Sequence, residues 1–325
     1  DYNPYLYKST DLGETWTSIA SNLPKRNLVW RLVQDHVSKD LMFCATESAI
    51  YVTLDGGKKW NKVPGAPTIS FRDITIQKRE NDLVAASFGR GFYILDDYSS
   101  LREMTSDNLA KEGDLFNTRD ALWYLPKSTT GNTGADYYFA DNPDFGAVFT
   151  YHLSKSYPSM KSARVKKEKE MIKKGQQIPN IDWNALEKES REEGTRVYIV
   201  IKDQEGNIIN KINAPKSKGL NRVSWNLRHS SSSAINPDII SSRRGGGRGW
   251  YNSGQLASPG QYTATLIKED EGKSTDLDEP IQFNVVDLGR GTLQGMSYAE
   301  YSNHAENLIQ LQNRQAVFSD KLNEN

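Results

Sequence analysis

Two copies of a short motif, spaced by about 44 residues, constrain the fold of this 325-residue chain more than any other sequence feature. The motif reads S/T-x-D-x-G-x-x-W, with Ser9, Asp11, Gly13 and Trp16 in the first copy and Thr53, Asp55, Gly57 and Trp60 in the second. A degenerate third copy keeps only the aspartate, at Asp97. A period of about 40 to 45 residues is typical of one four-stranded β-propeller blade.

The strand patterns around the motif repeat with the same period. Residues 30–33 align with residues 71–74, and residues 50–51 align with residues 92–93. We therefore predict that residues 1–100 form the last blades of a propeller. Because the pattern is already under way at the first residue, we also expect further blades upstream of this chain.

Each residue type in the motif has a structural role. The aspartate can accept hydrogen bonds from backbone N–H groups two or three residues further on, which closes a tight turn. Gly13 and Gly57 allow a positive φ. Trp16 and Trp60 begin the returning strand, where we expect both rings to cover the core of a blade.

The motif residues resemble the BNR/Asp-box repeats of sialidases, sortilin-type receptors and large secreted bacterial proteins. Residues 82–97 resemble the closing blade of a bacterial subgroup described as sortilin-like or glycosyl-hydrolase-like. The resemblance implies an extracytoplasmic protein, whether secreted, periplasmic or associated with the outer membrane. It also implies that the box residues are structural and lie away from the catalytic face. The arginine triad, tyrosine nucleophile and acid of sialidases have no recognisable motif in this sequence.

The second half of the chain shows short strand patterns separated by turn residues. After a connector at residues 101–135, this pattern predicts an immunoglobulin-like β-sandwich at residues 136–290. A charged helical insertion at residues 156–194 and a Gly-rich loop at residues 230–254 interrupt the sandwich. Residues 291–325 predict a C-terminal helix that packs on its own chain or on a partner helix. The strands resemble accessory sandwich domains of secreted bacterial proteins.

The helical insertion is strongly basic, because residues 161–174 contain seven Lys or Arg and two Glu. We interpret this segment as a solvated helix, with a basic docking surface for an anionic partner as the sharper alternative. Trp183 and Leu186, one turn apart, are expected to pin a second short helix to the sandwich. We interpret residues 243–250, which are rich in Arg and Gly, as part of a flexible loop rather than as an RNA-binding segment.

No set of residues predicts a catalytic, cofactor or metal site. The histidines are scattered, at His36, His152, His229 and His304, and no metal-binding His or Cys motif occurs. We predict that Cys44, the single cysteine, is a buried apolar side chain. Calcium at residues 270–271 or 276–279 stays open as an alternative, although neither segment is a loop of regularly spaced ligands.

Charge and hydropathy narrow the function further. Lys plus Arg and Asp plus Glu number 41 each, so the chain lacks the basic excess typical of nucleic-acid-binding proteins. No apolar run reaches the roughly 18 residues of a membrane helix. We hypothesise a non-catalytic binding or scaffold protein whose surfaces meet a protein or glycan in a cell-envelope or secreted assembly. The alternative is a sialidase-like glycoside hydrolase whose active site lies in blades missing from this chain.

Overall fold

A computed structural model of the chain describes residues 1–126, 140, 142–230, 254–289 and 295–323. The fold is mainly β, with several sheets and a C-terminal helix, in agreement with the predicted class. The chain divides into two compact units, which are described in turn.

The first unit, Asp1–Asn108, contains three antiparallel sheets and is described at every residue. Its strands are β1 (Tyr7–Lys8), β2 (Thr17–Ser18), β3 (Val29–Gln34), β4 (Met42–Thr46), β5 (Ile50–Thr53), β6 (Asn61–Lys62), β7 (Phe71–Gln77), β8 (Asp82–Ser87) and β9 (Phe92–Leu95). Strand β1 pairs with β2, β3 to β6 form a four-stranded meander, and β7 to β9 form a three-stranded one. A 3₁₀-helix at Ser99–Arg102 and the helix α1 (Ser106–Ala110) follow.

The four-stranded sheet is buried on both faces, which explains the continuous apolar run around β4. Successive strand residues point to opposite faces. On one face, Met42 and Cys44 pack in a core with Leu6, Leu23 and Trp60. On the other face, Leu41, Phe43 and Ala45 pack with Phe71, Ile74, Leu83 and Ala85 of the three-stranded sheet. The three sheets of this unit are therefore stacked through two apolar cores.

The second unit, Leu109–Asn325, contains a three-stranded and a six-stranded sheet among its described residues. Its elements are β10 (Gly113–Leu115), β11 (Ala121–Trp123), β12 (Ala147–Leu153), α2 (Met160–Lys173), α3 (Trp183–Ser190), β13 (Arg196–Lys202), β14 (Ile208–Asn213), β15 (Gly219–Trp225), β16 (Gly260–Asp270), β17 (Lys273–Asp276), β18 (Ile281–Asp287) and α4 (Tyr298–Asn323). One sheet has the order β10-β12-β15, and the other has the order β11-β18-β16-β13-β14, with β17 paired to β16.

One hydrophobic core joins the two sheets of the second unit. Phe149 of β12 and Trp225 of β15 come from one sheet, and Ile199, Tyr262 and Phe283 come from the other. Two ring pairs across this core meet edge to face with centroids 5.3 Å apart: Phe149 with Phe283, and Trp225 with Tyr262. Strands β10 and β11 lie in the segment that the sequence predicts as a connector, and they pair with β12 and β18.

The helical insertion forms α2 and α3 as predicted, but it is not held by the predicted contact. The Trp183 side chain is 84% exposed, and neither helix has a buried residue. The prediction that Trp183 pins α3 to the sheets is therefore wrong. Polar contacts replace it: Arg164 donates through Nε and Nη2 to the Glu189 carboxylate, at 2.8 Å each.

The C-terminal helix α4 packs on its own chain through its first turns. Tyr298 and Tyr301 contact the ring of Trp123, and the Tyr301 hydroxyl donates to the Leu256 carbonyl at 2.9 Å. None of the described helices is both long and apolar enough to cross a membrane. The predicted Gly-rich loop lies outside the described residues except at its two ends, and residues 243–250 lie outside them entirely.

Candidate functional site

The two motif turns have the same geometry, which is wider than the sequence predicts. In the first, Ser9 Oγ donates to Asp11 Oδ1 at 2.7 Å and accepts the Gly13 N–H at 2.8 Å, while Thr15 N–H donates to Asp11 Oδ1 at 2.9 Å. The second turn repeats these contacts with Thr53, Asp55, Gly57 and Lys59, at 2.7, 3.0 and 2.9 Å. The aspartate thus reaches four residues forward instead of two or three, and the hydroxyl shares the closure.

Both motif glycines have the predicted positive φ, but only one of the two motif tryptophans is buried as predicted. Gly13 and Gly57 have φ of 98° and 96°, as predicted. Trp60 is 3% exposed, and its Nε1 donates to the Ile19 carbonyl at 2.7 Å. Trp16 is 62% exposed, and its Nε1 donates to the Gly13 carbonyl of its own turn at 3.1 Å. Of the two rings, only that of Trp60 covers a core in this structure.

The third copy of the motif keeps an aspartate but forms no such turn. Asp97 N–H donates to Asp82 Oδ1 at 2.9 Å, and the Asp97 carboxylate accepts from Ser99 N–H and Oγ at 3.2 and 2.6 Å. Asp97 therefore anchors the start of the 3₁₀-helix after β9.

The buried carboxylate of Asp35 and its hydrogen-bond donors form a cluster at the same end of the four-stranded sheet as the second motif turn. Asp35 accepts hydrogen bonds from Arg102 Nε and Nη2 at 2.9 and 2.8 Å, from the Tyr98 hydroxyl at 2.7 Å, and from the Val37 and Ser38 amides. Burial alone would raise the pKa of Asp35, but these donors together hold it well below its ordinary value. Every lone pair is engaged, so the cluster is a structural tie between β3 and the 3₁₀-helix.

The opposite ends of the strands carry a group of a different kind, which is exposed except at Ser70. We call Trp30, Glu47, Ser70, Arg72 and Phe88 the aromatic–arginine surface. Trp30 and Arg72 lie near the starts of β3 and β7, Ser70 precedes β7, and Glu47 and Phe88 follow β4 and β8. At roughly 3.3 Å per strand residue, this surface is about 15–20 Å from the motif turns. The structural motif and the candidate site thus occupy opposite ends of the sheets.

Two β-bulges position the centre of the aromatic–arginine surface. In β3 the pairing with β4 skips from Val29 to Arg31, which leaves Trp30 as the extra residue. In β7 the pairing with β8 skips from Phe71 to Asp73, which leaves Arg72 as the extra residue. Trp30 and Arg72 are therefore structurally equivalent. The sequence alignment instead matches Trp30 with Phe71, so it is shifted by one residue from the structure. Bulges re-aim side chains and are common next to functional sites.

The contacts within the surface place a cation between two aromatic rings. Arg72 Cζ lies 3.8 Å from the centroid of Trp30 and 5.1 Å from that of Phe88. Glu47 Oε2 accepts from Trp30 Nε1 at 2.8 Å and from Ser70 Oγ at 3.2 Å, and it lies 3.8 Å from Arg72 Nη2. Trp30 is 40% exposed and Phe88 is 70% exposed. The arrangement offers stacking area, a guanidinium and a carboxylate to a ligand.

Cys44, His152 and His229 lie in surroundings that shift their pKa values through burial. Cys44 is fully buried, and burial raises the pKa of its thiol to about 12. Burial also lowers the pKa of His152 and of His229. In the part of the chain that the structure describes, no three His, Cys, Asp or Glu side chains are grouped closely enough to hold a metal ion.

The segments left open for calcium have other partners. Asp270 Oδ1 accepts from Thr195 Oγ1 at 2.8 Å, and Glu271 and Gly272, with φ of 48° and 76°, form the turn between β16 and β17. Asp278 accepts from Lys111 Nζ at 3.1 Å and from the Leu115 amide at 2.9 Å.

Neither protein-family models nor curated protein sequences match this chain. Two solved structures from B. thetaiotaomicron are similar to it: the extracellular domains of a proposed one-component system and of a proposed hybrid two-component system. The first is 12% identical with a TM-score of 0.24, and the match covers 87% of this chain and 28% of that chain. The second is 13% identical with a TM-score of 0.23, covering 85% and 28%. The chain thus spans little more than a quarter of either structure's length.

Proposed function

We propose that this chain is a non-catalytic binding module of an extracytoplasmic bacterial protein, and that the aromatic–arginine surface holds its partner, a protein or a glycan. The observation that carries the proposal is the exposed guanidinium of Arg72 between the rings of Trp30 and Phe88. Tryptophan and arginine supply much of the binding energy at protein interfaces, and aromatic rings stack on partners at a low cost in conformational entropy. The extracytoplasmic location rests on the resemblance of the repeats to Asp-box proteins.

We further propose that the sheets of the first unit are propeller blades. The stacking of β3–β6 between two other sheets supports this interpretation. The outer face of β7–β9 exposes Phe92 and Ile94, at 74% and 59%, whereas the equivalent face of β3–β6 is covered and leaves Ile50 at 4%. A further blade would cover Phe92 and Ile94 in the same way.

For the second unit we propose an immunoglobulin-like sandwich that serves as a spacer or docking module. The shared core of its two sheets supports a sandwich architecture. The parallel pairing of β11 with β18 is an additional feature that the sequence did not predict.

The test is a comparison of surface variants in the complete chain. Three proteins are compared: wild type, the double variant Trp30→Ala/Arg72→Ala, and the control Trp16→Ala. Each would be applied in solution to a glycan array, and each would be immobilised and exposed to a bacterial envelope extract. Trp16 is a matched control because it is also an exposed indole, 62% against 40% for Trp30, and it belongs to a motif turn. We expect one glycan or one envelope protein to bind wild type and the control, and to be lost from the double variant.

Retention of the same partner by all three proteins would exclude this surface as the binding site. The glycoside hydrolase alternative places its active site in blades missing from this chain, so turnover of a glycan by a longer protein that carries those blades would instead favour it. Circular dichroism of each variant would establish that loss of binding does not reflect unfolding.

A further inference from the structure

A cleft of about 780 Å³ lies beside helix α2 in the second unit. Its lining includes Lys166, Lys167 and Ser162 of α2, Tyr157 before the helix, and Lys216 before β15. Among the described residues that line it, Glu170 alone is acidic. This volume lies within the range of about 300–1,000 Å³ found for small-ligand sites.

The lysines that line the cleft are not neutralised by the protein. Lys166 and Lys167 are exposed, and neither side chain forms an ion pair or a hydrogen bond with a residue that the structure describes. Lys216 is fixed by its own contact, because its Nζ donates to the Thr195 carbonyl at 2.8 Å. Three ammonium groups against one carboxylate leave the cleft with an excess of positive charge, which attracts an anion.

The basic residues of α2 fall into two groups with different partners. Arg164 forms ion pairs with Glu168 and Glu189, at 2.8 Å each. No residue of α2 is buried, so these ion pairs rather than apolar packing hold the helix. Two hydrogen bonds join the segment before α2 to the segment before β15: Tyr157 N–H donates to the Lys216 carbonyl at 3.0 Å, and the Lys218 amide donates to Ser156 Oγ at 2.7 Å. The acidic partners are therefore on the Arg164 side, and the lysines of the cleft are left to an external anion.

We propose that this cleft binds an anionic saccharide, a sugar that carries sulfate or carboxylate groups. Lysine ammonium groups bind such anions as point charges without the fixed geometry of arginine. The hydroxyl of Ser162 can bond to sugar hydroxyls, and Pro158 and Ala163 supply apolar surface for the C–H face of a sugar ring. This site is independent of the aromatic–arginine surface, which lies in the other unit.

Calorimetric titration of the complete chain at low ionic strength tests the proposal. The probes are a sulfated disaccharide, a uronate disaccharide, a neutral disaccharide of the same size, and inorganic pyrophosphate. We expect a charged disaccharide to bind, the neutral one not to bind, and the affinity to fall as salt is added because the charges are exposed. The two charged sugars distinguish a sulfate ligand from a carboxylate ligand.

Two charge-matched variants locate the site. Lys166→Gln/Lys167→Gln removes two charges from the lining, whereas Lys169→Gln/Lys173→Gln removes two charges from the same helix outside the lining. We expect the first variant to weaken binding about tenfold and the second to change it less than about threefold. Equal losses in both variants, tighter binding of pyrophosphate than of either charged sugar, equal binding of the neutral sugar, or no binding at all would overturn the proposal.

Discussion

The guanidinium of Arg72 lies 3.8 Å above the indole of Trp30, and each of these residues is the extra residue of a β-bulge in its own strand. Strands β3 and β7 are neighbours from consecutive sheets. The same β-bulge therefore occurs in two consecutive repeats, with an aromatic residue at the bulge in one repeat and a cation in the next. A structural repeat alone would not need different residues at this position, which is why we connect the pair with binding.

The stacking of Arg72 on Trp30 predicts a measurable coupling energy. In a double-mutant cycle with Trp30→Leu and Arg72→Met, we expect a coupling of about 0.5–1 kcal/mol, the usual value for an exposed cation–π pair. Native-state hydrogen exchange at the β4 amides would report the stability of this unit without interference from the second. A coupling of zero would contradict this prediction and would show that the stacking adds nothing to the stability of the unit.

The two motif glycines predict unequal costs for the same substitution. A Cβ at Gly57 would lie 2.9 Å from Ile19 Cβ, whereas a Cβ at Gly13 would meet nothing closer than 3.8 Å. Both residues have positive φ. We expect Gly13→Ala to cost about 1 kcal/mol from backbone strain alone, and Gly57→Ala to cost about 1–3 kcal/mol more from overpacking. Urea unfolding of both variants checks this order, and equal losses would contradict it.

Removal of Arg102 should be far more harmful than removal of an exposed arginine. Arg102 pairs with Asp35, whose side chain is fully buried, whereas Arg79 pairs with Glu80 at 81% and 32% exposure. Arg102→Met leaves a buried carboxylate without its cation, which typically costs about 3 kcal/mol, and Arg79→Met should cost less than about 1 kcal/mol. The denaturation midpoints of the two variants test the difference, and similar midpoints would show that Asp35 finds other compensation.

The period of the sequence predicted the strands of the first unit because turn closure and alternation are local properties. The same locality explains the success at the helix α2, which lies in the predicted helical insertion. Bulges are different, since an extra residue shifts the register without changing the pattern, so the stacking of Trp30 and Arg72 was not predicted. Trp16 and Trp183 show a second limit, because apolar character does not say whether a neighbouring element lies near enough to cover the ring.

Glu112 predicts an acid-dependent loss of stability in the second unit. Lys268, Tyr157 and Lys155 contact its carboxylate and lower the pKa of Glu112 from 4.5 to about 2. A carboxyl with a lowered folded-state pKa stabilises the fold above its unfolded value and loses this contribution as pH falls. We expect Glu112→Gln to lower the thermal midpoint at pH 7 and to approach wild type between pH 4.5 and 2. The exposed Glu193→Gln is the control, and a pH-independent gap for Glu112→Gln would contradict the assignment.

Cys44 predicts a thiol whose labelling reports the opening of the first unit. Its side chain is 0% exposed in the middle of β4, and burial raises its pKa to about 12. Because the thiolate is the reactive form, on the order of 1 in 10⁴ of the thiols would be ionised at pH 8 even if a reagent could reach them. We expect an aromatic disulfide reagent to label the native chain very slowly and to label the urea-unfolded chain at the rate of a free thiol. The labelling rate should rise with urea in parallel with hydrogen exchange of the β4 amides, since both need the same opening. Rapid labelling of the native chain would mean that the face of β4 toward the first sheet is open, and would remove the two-sided burial on which the blade interpretation rests.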